Sequence, residues 1–228
     1  MVENSLTPPL VVFDLDGTLL DTAPDLVASL NYTIAEKSLP PVVYADLTHL
    51  VGQGARVMIE KALRMHDIVL GDAELTELFE RFISHYRGNM PGESRPYPGL
   101  IEALDRLAGA GHRLAVCTNK IESLALPLID SLGLTSRFAA ITCGDTFAVR
   151  KPDAEHLLGT VRLAGGDPAR TVMIGDSISD IAVAANANIP SIAVPFGYSD
   201  VPVESLSPTI VIDHFDRLTP ELIEQLIA

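Results

Sequence analysis

Leu10-Val-Val-Phe-Asp-Leu-Asp-Gly-Thr-Leu-Leu-Asp21 begins with four consecutive apolar residues and then turns abruptly polar. A short unbroken apolar run reads as a strand buried on both faces, and Gly17 marks where that strand breaks into a tight loop. Asp14 and Asp16 are two residues apart, so at a strand end their carboxylates project to the same side and can converge on one site.

Outward from this stretch, similar runs recur at Arg113 to Cys117, Phe138 to Cys143, Thr171 to Ile174, Ser191 to Val194 and Thr209 to Ile212. Helical patterns lie between most of them, at Leu100 to Ala110, Ile121 to Leu132, Ala154 to Ala164 and Ser177 to Asn186. Strands alternating with helices predict an α/β fold, a Rossmann-like doubly wound parallel sheet covered on both faces. In such a sheet, ligands bind at the C-terminal edge of the strands.

One stretch breaks the alternation. Ala23 to about Asn89 carries helical patterns at Ala23 to Lys37, Gly54 to Met65 and Ala73 to Tyr86 and no convincing strand. This predicts an inserted helical domain over 22–90, with the core formed by 1–21 and 91–228. The Pro- and Gly-rich segment Asn89-Met-Pro-Gly-Glu-Ser-Arg-Pro-Tyr-Pro-Gly99 reads as a linker.

Sixteen basic residues stand against 30 acidic ones, a net charge of -14. A surface that negative repels nucleic acid backbones, so no nucleic acid partner is expected. An anionic substrate would need local positive charge, which a divalent cation could supply. Cys117 and Cys143 lie far apart with no metal-ligand spacing and read as buried thiols of a reducing compartment. The N-terminus lacks a secretory apolar region and no stretch is long enough to span a membrane, so a cytoplasmic protein is expected. None of the six histidines falls in a motif, and none is given a role.

Each later strand also ends in polar residues. Thr118-Asn119 follows Cys117, Lys151-Pro152 follows the third run after a loop, and Gly175-Asp176-Ser177 follows Ile174, with Asp180 one helical turn on. Singly these are ordinary helix caps and surface charges; their recurrence at successive strand ends marks one site.

The set Asp14-Leu-Asp-Gly-Thr-Leu-Leu-Asp21, Thr118-Asn119, Lys151-Pro152 and Gly175-Asp-Ser-Ile-Ser-Asp180 resembles the haloacid dehalogenase superfamily of aspartate-nucleophile phosphatases over nearly the whole chain. The insert looks like a type-one cap. Val51-Gly-Gln-Gly-Ala55, Arg95-Pro-Tyr-Pro-Gly99 and Phe196-Gly-Tyr198 are similar to stretches of bacterial phosphoglycolate phosphatases. The resemblance implies a phosphomonoester hydrolase acting on a small phosphorylated metabolite, 2-phosphoglycolate foremost. Asp14 would form an aspartyl-phosphate, and Asp16 would serve as acid and then base.

Mg²⁺ would be held by an Asp14 side-chain oxygen, the Asp16 main-chain carbonyl and the Asp176 carboxylate. Thr118, the Asn119 N–H and Lys151 would bind the phosphoryl group, while Asp180 would orient a water or Lys151. Two positions depart from the family pattern: a second proline is missing after Lys151-Pro152, and Asn188 stands where glycine is usual, a residue that tolerates the left-handed conformation.

For the rest of the substrate the expected reader is the cap. Gly52 and Gly54 would leave backbone N–H groups open to a carboxylate at a helix start, with Arg56 adding charge, although Arg56, Lys61 and Arg64 also read as a solvated helix side. Two other readings stay open: a phosphoglucomutase-type phosphotransferase, and a phosphoacceptor module without turnover, against which Asp16 argues. Either a monomer or a homodimer is compatible with the sequence.

Overall fold

Strand β1 (Leu10–Phe13) is fully buried, and its residues divide between two hydrophobic clusters. Val11 and Phe13 enter one, with Leu10 and Val12 in the other. The same alternation holds in the neighbouring strands, where Leu114 and Val116 lie on one side and Ala115 and Cys117 on the other. Two covered faces are why the sequence reads as unbroken apolar runs. The computed structural model describes residues 7–43 and 54–228.

Within those residues the elements follow in chain order as β2 (Leu20–Asp21), α1 (Ala23–Ile34), α2 (Ala55–Arg64), α3 (Asp72–Asn89), β3 (Arg95–Pro96), α4 (Leu100–Gly109), β4 (Arg113–Cys117) and α5 (Glu122–Ser131). They continue as β5 (Ala140–Thr142), α6 (Ala154–Leu163), β6 (Thr171–Gly175), α7 (Ile178–Asn186), β7 (Ser191–Ala193), β8 (Ile210–Val211) and α8 (Pro220–Leu226). The main sheet is parallel, in the order β5-β4-β1-β6-β7-β8. Counted in chain order this is the 3-2-1-4-5-6 arrangement of a doubly wound sheet, whose ligand crevice lies where the order reverses, beside β1 and β6. Residues of α4, α5 and α8 cover one face; residues of α6 and α7 cover the other.

The helical insert has its own apolar cluster. Ala23, Leu26, Leu30 and Ile34 recur at three- and four-residue spacing along α1, and Leu75, Leu78, Phe82 and Tyr86 do so along α3. Met58, Ile59, Ala62 and Leu63 of α2 complete it, and Leu124 and Tyr198 of the core touch it.

The expected strands and helices are present with shifted ends. The third sheet strand covers only Ala140–Thr142 because Thr135–Arg137 forms a 3-10 turn that releases the chain at Phe138. The segment expected as a plain linker contains β3, which pairs antiparallel with β2, Leu20 opposite Pro96 and Asp21 opposite Arg95. Outgoing and returning chains are therefore clamped side by side at the root of the insert. The Asp25 carboxylate adds to the clamp, accepting from the Glu93 N–H at 2.8 Å, the Ser94 N–H at 3.0 Å and the Ser94 hydroxyl at 2.5 Å. Asn188 does adopt a left-handed conformation, with φ 54°.

After β1 the chain folds back on itself, the Gly17 N–H donating to the Leu20 carbonyl at 2.9 Å. Gly17 has φ +85°, and a Cβ there would land on the Asp176 carboxylate and the Tyr198 ring. Gly17→Ala should lower unfolding free energy by about 2 kcal/mol or more, from left-handed strain plus the collision. Asp25→Ala, which strips buried N–H groups of a charged acceptor, should cost about 3 kcal/mol. Urea denaturation checks both, and an unchanged midpoint for either would show that the contact is dispensable.

Candidate active site

The C-terminal ends of β1, β4 and β6, with the loop before α6, bring five of the expected side chains together. Lys151 stands at the centre. Its ammonium is buried and donates to Asp14 Oδ1 at 2.7 Å and to Asp180 Oδ1 at 2.6 Å. Burial disfavours that charge, yet Asp14 and Asp180 outweigh it and raise the Lys151 pKa, so the group is a permanent cation.

Asp14 is 7% exposed, and its pKa is raised to about 7, first by burial and then by Asp180, with Lys151 opposing. Asp176 is pushed well above the carboxylate range, by burial and then by Asp180 and Asp14. Its two oxygens accept from the Thr18 hydroxyl at 2.7 Å and the Tyr198 N–H at 2.7 Å. Asp180 is both a helix-start residue and a site residue: Oδ2 accepts from the Ser177 N–H at 3.0 Å and hydroxyl at 2.6 Å, which leaves Oδ1 for Lys151. No side chain fits at Gly175, where a Cβ would meet Asp180.

One oxygen from each of Asp14, Asp176 and Asp180 lies within 4.8 Å of the others. Around them, Asp14, Asp16, Asp176 and Asp180 set four carboxylates against the ammonium groups of Lys120 and Lys151. Two negative charges are left over when all are ionised. A hard divalent cation with oxygen ligands fits that donor set and that charge.

Asp16 stands slightly apart. Its Oδ1 accepts from the Thr22 hydroxyl at 2.6 Å, and Lys120 Nζ lies 3.0 and 3.2 Å from its two oxygens. Thr118 is buried, with its hydroxyl accepting from the Lys120 N–H at 3.1 Å. The Asn119 side chain donates to the Lys151 carbonyl at 3.1 Å, tying the two loops together.

Of the expected cap residues, Gly52 lies outside the described residues. Gly54 precedes α2 with φ +96°, and a Cβ there would meet nothing within 4 Å among the described residues. Arg56 is turned to other partners, Asp72 at 3.1 Å and Glu60 at 3.8 Å, and among the described residues it makes no ion pair with the core motifs.

Several contributors were given no role from sequence. Lys120 directly follows Thr118-Asn119, and a lysine in a loop after a central strand is the signal that could have found it. The Tyr198 hydroxyl accepts from the Thr22 and Ala23 N–H groups at 2.7 and 3.0 Å and donates to Asp21 at 2.8 Å, so it seats the first turn of α1. Buried His156 accepts the Lys151 N–H on Nδ1 at 3.1 Å. Burial and then Lys151 lower its pKa to about 4, so the ring is a neutral support for the lysine loop. Both cysteines are buried, as expected. Among the described residues no helix is long and apolar enough to cross a membrane.

This geometry has close counterparts in known proteins. Phosphoglycolate phosphatase of Agrobacterium fabrum is 64% identical over 220 residues, covering 96% of this chain and 94% of that one. Phosphoglycolate phosphatase of Mesorhizobium japonicum is 54% identical over 222 residues, covering 97% and 98%. The crystal structure described as a predicted phosphoglycolate phosphatase from Haemophilus somnus superposes with a TM-score of 0.85 at 27% identity, covering 91% of this chain and 95% of that one. Residues 11–194, which span all four motif loops, match the model of the haloacid dehalogenase-like hydrolases, and with relatives this similar over nearly its full length the chain belongs to that family.

Proposed function

We propose that this protein is a Mg²⁺-dependent phosphomonoesterase that hydrolyses 2-phosphoglycolate through an aspartyl-phosphate on Asp14. The observation that carries the reading is the buried Asp14 carboxylate held by Lys151 at 2.7 Å beside Asp176 and Asp180, in a family of hydrolases. The substrate follows the names of the relatives at 64% and 54% identity.

In this reading Lys151 fixes one Asp14 oxygen and leaves the other to attack phosphorus in line with the departing oxygen. Thr118 and Lys151 hold the phosphoryl oxygens where charge spreads in the transition state. Asp16 lies at the cap side, oriented by the Thr22 hydroxyl, and gives a proton to the leaving oxygen. As a carboxylate it then takes a proton from the water that cleaves the acyl phosphate. Asp14, the Asp16 carbonyl and Asp176 would hold Mg²⁺, with Asp180 keeping Lys151 in place; the cation supplies charge neutralisation at the phosphoryl group.

The chain then divides at the β2–β3 clamp into a core of 1–21 with 91–228 and a cap of 22–90. Closure of the cap would exclude water from the intermediate.

Phosphate release from 2-phosphoglycolate and a panel of metabolite phosphates, with Mg²⁺ and with excess chelator, tests the function. We expect 2-phosphoglycolate to rank first, chelator to abolish turnover, and Asp14→Asn to reduce kcat by about 10³-fold or more while the fold persists. Release by Asp14→Asn within tenfold of the parent would remove Asp14 from the mechanism.

The raised pKa of Asp14 gives a pH dependence with a definite sign. Below about pH 7 the cation-free site keeps a proton on Asp14 that a cation must displace, so Mg²⁺ affinity should rise with pH through that value. Titration calorimetry at about pH 5.5, 6.5 and 7.5 reads this, and a dissociation constant independent of pH would contradict it.

A further inference from the structure

Two lysines reach the cleft, and the reaction above uses one. Lys151 is committed to Asp14 and Asp180. The Lys120 side chain is 5% exposed and lies against Asp16 and, at 4.6 Å, over the ring of Tyr86. Tyr86 comes from α3 of the helical insert, in its apolar cluster. It is fully buried, and its hydroxyl has no hydrogen-bond partner among the described residues. A buried phenol without a partner is costly, and a ligand oxygen would satisfy it.

We infer that Lys120 and Tyr86 form the seat for the anionic end of the leaving group, a carboxylate in the substrate proposed above, on which this inference rests. The distances agree. A leaving oxygen hydrogen-bonded to Asp16 sits about 2.7 Å from that carboxylate, and a carboxylate one carbon further along lies about 2.5–3.5 Å beyond it. Lys120 Nζ, 3.0 Å from Asp16 Oδ1, reaches both positions. Arg56, the cation expected for this task, pairs instead with Asp72 and Glu60. Specificity for a charged leaving group is thus divided between a core lysine and a cap tyrosine.

The test compares kcat/KM for 2-phosphoglycolate and for 2-hydroxyethyl phosphate, which has the same chain length and no carboxylate. The parent should prefer the carboxylated substrate. Lys120→Met should reduce the ratio of the two kcat/KM values by about 10²-fold, as for a lost charge-assisted contact. Lys120→Arg should keep most of that ratio, and Tyr86→Phe should reduce it by about tenfold. Glycolate, as a competitive inhibitor, should weaken in parallel. A parent preference that survives both Lys120→Met and Tyr86→Phe overturns this inference alone. A parent with no preference for the carboxylate overturns the substrate assignment and this inference together. Should Lys120→Met fail to fold in a melting experiment, Tyr86→Phe, which deletes only an unpartnered hydroxyl, decides between these outcomes.

Discussion

The Lys151 ammonium, shared between Asp14 at 2.7 Å and Asp180 at 2.6 Å, is the constraint from which the rest of the site follows. It joins the loop after β1, the loop before α6 and the first turn of α7, segments far apart in the sequence. Removing one member of a buried pair costs about 3–5 kcal/mol, because the other charge is stranded. That is a large share of the roughly 5–15 kcal/mol that stabilises a domain. The three loops are therefore locked to one another, and the surrounding details serve the lock: Ser177 orients Asp180, His156 seats the Lys151 N–H, and Gly175 leaves room for Asp180.

The lock has a cost in charge that shapes the chemistry. Burial beside other carboxylates disfavours the charged forms of Asp14 and Asp176, whose pKa values are raised. In the proposed reaction a divalent cation bound there would favour the ionised form of Asp14 and reduce the repulsion that an incoming phosphate dianion meets. The same groups that are unfavourable in isolation become complementary once a divalent ion and a phosphate are present.

Much of this was legible in the chain because it is local. Apolar runs such as Leu10 to Phe13 and Thr171 to Ile174 identify central strands whatever packs around them. Asp14, Asp16 and Asp176 sit beside those runs, so their common location follows from parallel topology alone. What could not be read depends on long-range contact. The pairing of β2 with β3 is two residues long and hidden in a Pro-rich segment. Lys120 looks like any loop lysine until Asp16, 104 residues away, is placed beside it. Arg56 is legible only as a charge next to a glycine loop; that Asp72 and Glu60 lie beside it emerges from the packing of the insert.

Tyr198 has its N–H on Asp176 and its hydroxyl on Asp21 and on the first turn of α1. Asp176, a candidate cation ligand, and the root of the helical insert thus share one side chain. Energetic linkage between two sites is reciprocal. If seating a cation shifts Asp176, the tilt preferred by α1 shifts with it, and a cap drawn down over substrate must in turn tighten the hold on the ion. In the proposed reaction, retention of the ion and closing of the cap would then be two readings of a single equilibrium.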